Sequence, residues 1–229
     1  MYKFIKGLRR LHRIGKSRNA LLKFVASCSL NPDLVGEKLG EGGQHRIYHY
    51  GGDKVLKVLK FDYLGVIFGF HNIDDIQKEA DIIKEYFPDS LLHIVVFRSK
   101  KFPHYCILQD KLENYDHLNK DHLKESLDDL KDILDKNHTM IKTKGCALDL
   151  FGRKGLIESY SNRFLGKKDF LVFYNLVWIH NERDIRIIDT NLLKVAPTTE
   201  KSIIKRLRFR YLLALQEYLL KSYTKNMIK

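Results

Sequence analysis

A glycine-rich hairpin is the stretch of this sequence whose residue types and spacing point most directly to chemistry. Glycines stand at Gly40, Gly42 and Gly43, and two alternating stretches, 46–50 and 55–59, lie on either side of a Gly-Gly-Asp turn. This pattern predicts two short strands joined by a tight turn. Glycines allow backbone N–H groups to approach a phosphate without an intervening side chain. The stretch is therefore either a phosphate-binding hairpin or an ordinary hairpin with a glycine-rich mouth.

The second strand of this hairpin contains one lysine, Lys57, between apolar residues. Because side chains alternate between the two faces of a strand, its apolar neighbours would face the core and its ammonium would point the other way. Lys57 is therefore a candidate ligand for phosphate, and an ordinary surface lysine is the alternative.

The elements after the hairpin would position a carboxylate near it. Apolar residues at helical spacing predict a helix over 73–87, which Pro88 ends, and Glu79 lies beside its apolar face. Two apolar runs, 91–97 and 105–108, then predict buried strands, and a polar stretch follows them. Glu79 could equally be a carboxylate that faces solvent.

A second hairpin with polar ends is predicted further along the chain. A leucine stripe first predicts an amphipathic helix over 118–136. Two apolar stretches, 175–179 and 185–189, then lie on either side of a polar turn, which predicts paired strands. Asn175 opens the first stretch and Asp189 closes the second. Both side chains offer oxygen atoms, the ligands that Mg²⁺ prefers.

This order of elements resembles the protein-kinase-like superfamily, and the run Asp-Leu-Phe-Gly at 149–152 is similar to one in small, divergent bacterial members. In that family a glycine-rich loop and a strand lysine hold the ATP phosphates, a helix glutamate orients the lysine, and an asparagine and an aspartate hold Mg²⁺. The resemblance implies an ATP-binding set of Gly40, Gly42, Gly43, Lys57 and Glu79, and an Mg²⁺-binding set of Asn175 and Asp189.

The sequence departs from the family pattern around the catalytic base. The metal motif reads Asp-Thr-Asn instead of Asp-Phe-Gly, and Phe170 stands where the family's catalytic aspartate would precede Asn175 by five residues. Asp149 is the preferred base and Asp169 is the other candidate. A third possibility is that neither acts as a base and that the protein binds nucleotide without transferring phosphate.

Composition limits the class of protein. Of 229 residues, 44% are hydrophobic and 30% are charged, which is typical of a folded chain, and no apolar run is long enough to span a bilayer. The three cysteines are far apart and odd in number, so a disulfide framework is not expected and a reducing cytoplasm is. The net charge of +13 favours an anionic partner such as a nucleotide, nucleic acid or an acidic membrane surface.

Both ends of the chain are basic and amphipathic. The segment 1–31 predicts one or two helices that contact a membrane or RNA, or that pack on the neighbouring domain with their charges in solvent. A helix is predicted over 199–222, and its basic residues could extend the same anionic docking surface. Its apolar residues fall on a common face and are Ile204, Leu207, Tyr211, Leu215 and Tyr218.

These observations predict an α+β chain with a two-lobed protein-kinase-like fold, made of a small antiparallel-sheet lobe with one helix and a reduced, mainly helical large lobe. The expected parts are a basic extension at 1–35, the small lobe at 36–112 and the large lobe at 113–229. The expected function is ATP-dependent phosphorylation of a hydroxyl on a small molecule, a sugar or a lipid-linked acceptor. The reason is that little chain after Asp189 resembles the part of a kinase that docks a peptide. The alternatives are a pseudokinase that regulates through nucleotide binding and a basic nucleic-acid-binding protein. The expected location is the cytoplasm, at the inner face of the membrane if the basic helices dock there.

Overall fold

A computed structural model describes residues 13–42, 45–60, 73–101, 104–190, 192–194 and 203–227. These residues form an α+β structure with antiparallel sheets. The chain divides into two compact units, each with its own hydrophobic core: unit 1 is Met1–Ala80 with His93–Leu112, and unit 2 is Asp81–Leu92 with Glu113–Lys229. Gly43 and the first twelve residues of the basic segment lie outside the described residues. The predicted division into an extension and two lobes stays a prediction.

Unit 1 is built on a five-stranded antiparallel sheet whose strand order is β1-β2-β3-β5-β4. The strands are β1 (Val35–Glu41), β2 (His45–Tyr50), β3 (Lys54–Leu59), β4 (Ile94–Arg98) and β5 (Tyr105–Asp110). The predicted hairpin is confirmed as β2 and β3, and Gly51 begins its turn with a φ of +64°, which glycine adopts readily. The sequence pattern did not predict β1, which contains Gly40.

The two faces of this sheet pack against different helices. Helix α1 (Arg18–Ser27) buries Phe24 and Val25 against Leu56 and Val58 of β3. The basic segment therefore packs on the sheet over its described part. The other face holds a smaller cluster around Leu59, on which the start of α2 (Ile73–Tyr86) packs.

Unit 2 combines helices with two small sheets. The helices after α2 are α3 (Lys120–Glu125), α4 (Leu127–Lys144), α5 (Gly152–Phe164) and α6 (Ile203–Met227). One sheet pairs β6 (Tyr115–His117), β8 (Leu176–Ile179) and β9 (Asp184–Ile187), and the other pairs β7 (Cys146–Leu148) with β10 (Leu192–Lys194). The second predicted hairpin is confirmed as β8 and β9, which leaves Asn175 and Asp189 just outside its strands.

Helix α5 was not predicted from the sequence pattern. A Cβ added at Gly155 would stand 2.4 Å from the carbonyl oxygen of Val172. Glycine at this position therefore lets α5 pack directly against the backbone of the segment that leads to β8. Its start at Gly152 has a φ of +66°, which again suits glycine.

Helix α6 exposes three of the five residues of its predicted apolar face, which are Leu207, Tyr211 and Tyr218. Leu215 of that face is instead partly buried against the core of unit 2, to which Leu219 also belongs, and the side chain of Ile204 lies outside the described residues. The helix therefore packs by a face that includes Leu215 but not the three exposed residues. None of the described helices is long and apolar enough to cross a membrane.

Candidate functional site

The glycine-rich mouth of the β1–β2 hairpin is open on the side where side chains would project. A Cβ added at Gly40 would meet none of the described atoms within 4 Å. The N–H of Gly42 donates a 2.9 Å hydrogen bond to the carbonyl of His45, which closes the hairpin. Packing within unit 1 therefore does not explain the glycine at position 40, and the open side leaves space for a ligand.

Three cations surround one carboxylate at this mouth. Lys38 donates a hydrogen bond to Glu41, Lys60 lies 2.8 Å from the same carboxylate, and Arg46 lies 3.4 Å from it. The hydrogen bonds from Lys38 and then Lys60 lower the pKa of Glu41 to about 2. The three cations are thus engaged by a carboxylate of the chain itself.

Lys57 lies in β3 as the alternation of the sequence predicts. Its neighbours Leu56 and Val58 are fully buried on the α1 side, so Lys57 faces the α2 side of the sheet together with Leu59. Ile76 of α2 packs against the cluster that contains Leu59, and Glu79 follows Ile76 by almost one helical turn. Lys57 and Glu79 therefore lie on the same side of the sheet in unit 1.

In unit 2, Asp149 lies directly after the short strand β7, in a loop that two buried amide side chains hold. The Oδ1 atom of Asn137 accepts a 2.6 Å hydrogen bond from the N–H of Leu148. The side chain of Gln216 accepts from the N–H of Leu150 and donates to the carbonyl of Leu148. These three bonds fix the backbone on both sides of Asp149. The sequence analysis missed both amides, and the signal for Gln216 was a polar residue between Leu213 and Leu219 on the buried face of a helix.

Asn175 is bonded to the same loop although it lies 26 residues away. Its Nδ2 atom donates a 2.6 Å hydrogen bond to the carbonyl of Asp149. The N–H of Gly152 donates to the Asp149 carboxylate at 2.9 Å. A Cβ added at Gly152 would come within 3.2 Å of the Asn175 amide oxygen. Gly152 therefore allows the loop and Asn175 to approach closely.

Asp189 completes this cluster. The carbonyl of Asn175 accepts a 3.0 Å hydrogen bond from the N–H of Ile188, which brings Asn175 alongside the residue before Asp189. The Asp189 carboxylate accepts from the N–H of Thr190 at 2.8 Å. We call Asp149, Asn175 and Asp189 the acidic cluster.

The environment of Asp149 makes its carboxyl group harder to ionise than that of an ordinary aspartate. Burial, and to a lesser extent the charge of Asp189, raises the pKa of Asp149 to about 6, although the hydrogen bond from Gly152 opposes the shift. A carboxyl group with this pKa is ionised at neutral pH and is a stronger base than an ordinary aspartate.

Asp169, the other candidate base, lies in a different environment. It is exposed in the loop after α5, and its charge contributes to raising the pKa of the Tyr223 hydroxyl. Of the two candidate bases, Asp149 lies beside Asn175 and Asp189, whereas Asp169 lies near Tyr223.

The donor atoms of unit 2 suit two different kinds of metal ion. The acidic cluster offers carboxylate and amide oxygens, which suit Mg²⁺. A separate group, Asp116 with His122 and His180, has ligand atoms within 4.8 Å of one another and offers two imidazoles, which suit transition metals. The sequence analysis missed this group because its members lie far apart in the chain. Its donor set does not match the predicted Mg²⁺ site.

No protein-family model matches this chain, and a comparison with curated proteins finds no significant match.

Proposed function

We propose that this chain is an ATP-dependent phosphotransferase with a two-lobed protein-kinase-like fold, in which unit 1 is the small lobe and unit 2 is a reduced large lobe. The observation that carries the proposal is the acidic cluster. Asp149, Asn175 and Asp189 come from three separate segments of unit 2. Hydrogen bonds join Asn175 to the Asp149 carbonyl and to Ile188, and the Asp189 charge is near enough to raise the pKa of Asp149. Phosphoryl transfer requires this combination of a base and oxygen ligands for Mg²⁺.

Unit 1 supports the same proposal through a different set of residues. A five-stranded antiparallel sheet opens with a glycine-lined hairpin, carries Lys57 on its third strand and has Glu79 on the helix that packs on the Lys57 side. In the proposed roles, the lack of side chains at Gly40 and Gly42 would let phosphates approach the backbone of the hairpin mouth. Lys57 would neutralise phosphate charge and Glu79 would orient Lys57.

The proposed reaction moves the terminal phosphoryl group of ATP to an alcohol. Asp149 would accept the proton of the acceptor hydroxyl as its oxygen attacks phosphorus, and the bond to the ADP oxygen would break. Asn175 and Asp189 would hold Mg²⁺, which would neutralise charge on the transferred group. Because the pKa of Asp149 is raised to about 6, the proton transfer is more favourable than it would be to an ordinary aspartate.

We propose a small molecule, a sugar or a lipid-linked alcohol as the acceptor. Only residues 190–202 separate Asp189 from α6, and this stretch contains the three-residue strand β10. Protein kinases place a longer activation segment after the corresponding aspartate and use it to dock peptides. A compact acceptor needs no such docking segment.

A pseudokinase is the second candidate, and helix α5 is the observation that favours it. In active kinases the base and the metal-binding asparagine are close in sequence. Here α5 and the loop after it lie between Asp149 and Asn175, and the Asn175 amide nitrogen is already bonded to the Asp149 carbonyl. A nucleotide-binding module without transfer would keep this arrangement.

A thermal-shift titration with ATP, with and without Mg²⁺, tests the proposal on the native protein and on Asp189→Asn. The matched control is Asp135→Asn, because Asp135 is an exposed aspartate of the same unit outside both the acidic cluster and the group of Asp116, His122 and His180. We expect a rise of the midpoint that needs Mg²⁺, that Asp135→Asn keeps and that Asp189→Asn loses, since a ligand that binds only the folded state stabilises it.

A radiolabelled ATP assay on a panel of alcohols then separates the candidates. Transfer that Asp149→Asn abolishes supports the phosphotransferase. Binding of ATP without transfer to any acceptor class or to water supports the pseudokinase. No shift at saturating ATP, together with RNA or DNA binding that falls steeply with salt, would replace both candidates with a nucleic-acid-binding protein.

A further inference from the structure

Exposed apolar side chains are concentrated on two neighbouring helices of unit 2. Of the ten large apolar side chains that are exposed among the described residues, seven lie on α5, at its end, or on α6. We call these seven residues the apolar patch; they are Ile157, Tyr160, Phe164, Leu165, Leu207, Tyr211 and Tyr218. Phe164 is 84% exposed and Leu165 is 70% exposed. Single exposed apolar residues need no explanation, whereas a concentration of this kind marks an interaction surface.

The patch follows the geometry of the helices. On α5, Tyr160 and Phe164 follow Ile157 by three and seven residues, a spacing that puts all three on one face. On α6, Tyr211 and Tyr218 are seven residues apart and share a face in the same way. The apolar patch therefore consists of two helical stripes.

Arg163 joins the two stripes. Its guanidinium lies over the ring of Tyr218, 4.9 Å from the ring centroid, and its Nε donates a 3.0 Å hydrogen bond to the Tyr218 hydroxyl. Helices α5 and α6 are in contact at this place. The stripes thus form neighbouring parts of one surface of unit 2.

The buried faces of the same helices already supply the packing that unit 2 needs. Helix α5 buries Leu156 and Ser159, and α6 buries Leu213, Gln216 and Leu219. The apolar patch lies on the remaining faces and contributes little to the core. Apart from Tyr218, which Arg163 contacts, the patch residues have no packing role among the described residues that explains their apolar character.

The rim of the apolar patch is mainly basic. Lys167 and Lys168 follow the Phe164–Leu165 pair directly and are exposed, and Arg210 and Lys221 are exposed beside the α6 stripe. The acidic residues nearby are Asp169, also exposed, Glu217, which pairs with Lys221 at 4.0 Å, and Glu158, which pairs with Lys154 at 3.6 Å. The rim therefore attracts a partner that is anionic at its surface and apolar beneath.

A bilayer with acidic lipids has this chemistry. Its headgroups present negative charge, and apolar side chains can enter the boundary between headgroups and acyl chains. Tyrosine, which forms three of the seven patch residues, has an apolar ring and a polar tip and is enriched at membrane interfaces. A folded protein partner would offer an apolar face, but it would not explain why lysines stand next to the most exposed apolar pair.

We propose that the apolar patch and its basic rim bind the surface of a membrane that contains anionic lipids, with Phe164 and Leu165 inserted at the acyl boundary. Binding of this kind is peripheral and reversible and needs no helix that crosses the bilayer. It does not depend on the proposed phosphotransferase activity. If that activity is also present, the surface favours the lipid-linked class of acceptor, an extension that rests on the proposed function.

Vesicle co-sedimentation of the whole chain tests this proposal. The probes are vesicles of phosphatidylcholine alone and of phosphatidylcholine with phosphatidylglycerol. The patch variant is Phe164→Ser with Leu165→Ser, and the rim variant is Lys167→Glu with Lys168→Glu. The matched control is Leu34→Ser with Tyr115→Ser, because both residues are exposed apolar side chains outside the patch. All the replaced side chains are exposed, so thermal unfolding should confirm that each variant is folded.

We expect the native protein and the control to bind the anionic vesicles and to bind the neutral ones weakly. The patch variant should lose about tenfold or more in partition coefficient, because two large apolar side chains no longer leave water. The rim variant should lose more binding as the fraction of anionic lipid in the vesicles rises. Its loss should be largest at low salt, since salt screens the attraction between surface charges.

Two results would overturn the proposal. One is vesicle binding that the patch variant and the control share equally with the native protein. The other is self-association, detected by light scattering, that the patch variant abolishes in the absence of any vesicle binding; the patch would then be an interface between copies of the chain. The ATP-dependent thermal shift of the patch variant should equal that of the native protein. A loss of vesicle binding with an unchanged thermal shift then concerns the membrane proposal alone and not the phosphotransferase proposal.

Discussion

The two units place their candidate functional residues by different physical means. In unit 1, Lys57 lies within a regular strand, and simple alternation between the two faces of the sheet determines where its side chain points. In unit 2, Asp149, Asn175 and Asp189 lie just outside strands, and backbone and amide hydrogen bonds from distant residues hold them. Local pattern is therefore sufficient for the first arrangement, whereas the second depends on individual buried polar and glycine residues. Substitutions should accordingly disturb unit 2 more than unit 1.

The largest difference is expected between two glycines. Gly155→Ala should lower the free energy of unfolding by about 3 kcal/mol or more, because its Cβ would stand 2.4 Å from a backbone carbonyl that cannot move without displacing the segment before Asn175. Gly52→Ala in unit 1 is the control, since its Cβ would meet no described atom within 4 Å. Urea unfolding measures both variants, and equal stability of the two would contradict the close packing of α5.

The second difference concerns the half-buried carboxylate of Asp149. The pKa of Asp149 is raised from 3.8 to about 6 in the folded protein. Between these two values the folded state binds more protons than the unfolded state, so Asp149 lowers the free energy of unfolding as the pH rises from 3.8 to about 6. Asp149→Asn should therefore be more stable than the native protein by roughly 2 to 3 kcal/mol at about pH 7, and the gain should vanish at about pH 4.

Unfolding in the absence of nucleotide and Mg²⁺ checks this pH dependence. Asp53→Asn, in the exposed turn of the unit 1 hairpin, is the control and should show no such gain. A loss of stability in Asp149→Asn at neutral pH would mean that the hydrogen bond from Gly152 outweighs the burial of the charge.

The smallest difference is expected between two buried glutamines. Gln216→Met should lower the free energy of unfolding by about 1 to 2 kcal/mol, because the N–H of Leu150 and the carbonyl of Leu148 would lose their partner. In unit 1, the Oε1 atom of Gln109 is buried and has no hydrogen-bond partner among the described residues. Gln109→Met should therefore be close to neutral or stabilising. Thermal or urea unfolding of the pair tests this contrast, and an equal loss in both variants would remove it.

The sequence predicted the regular parts of the fold because their signals are local. Alternation and turn residues predicted β2 and β3, and helical spacing predicted α2 almost to the residue. The strands β7 and β10 have three residues each and pair across more than forty residues, so no local pattern could reveal them. Helix α5 was missed because its start contains two glycines, which disfavour helices unless close packing requires them.

The candidate site was predictable in its charged members and not in its supports. Oxygen-bearing side chains at strand ends and a lysine between apolar residues are visible in a pattern, as the positions of Asp189 and Lys57 show. The amides of Asn137 and Gln216 act only through the tertiary structure, so their roles appear only when the partners are known. Periodicity likewise grouped Tyr211 and Tyr218 on one face of α6 without showing that this face is exposed.

The bond between Gln216 and the loop of Asp149 also has a consequence for the order of events during synthesis. The β2–β3 hairpin joins residues that are close in the chain and can form as soon as they leave the ribosome. The loop after β7 gains the hydrogen bonds of Gln216 only when α6, some 66 residues later, has been made and has docked. Contacts of such long range form slowly because the intervening chain must first be ordered. The nascent chain would therefore hold a formed glycine-rich hairpin well before it holds a formed acidic cluster, and α6 would be the element that completes the site.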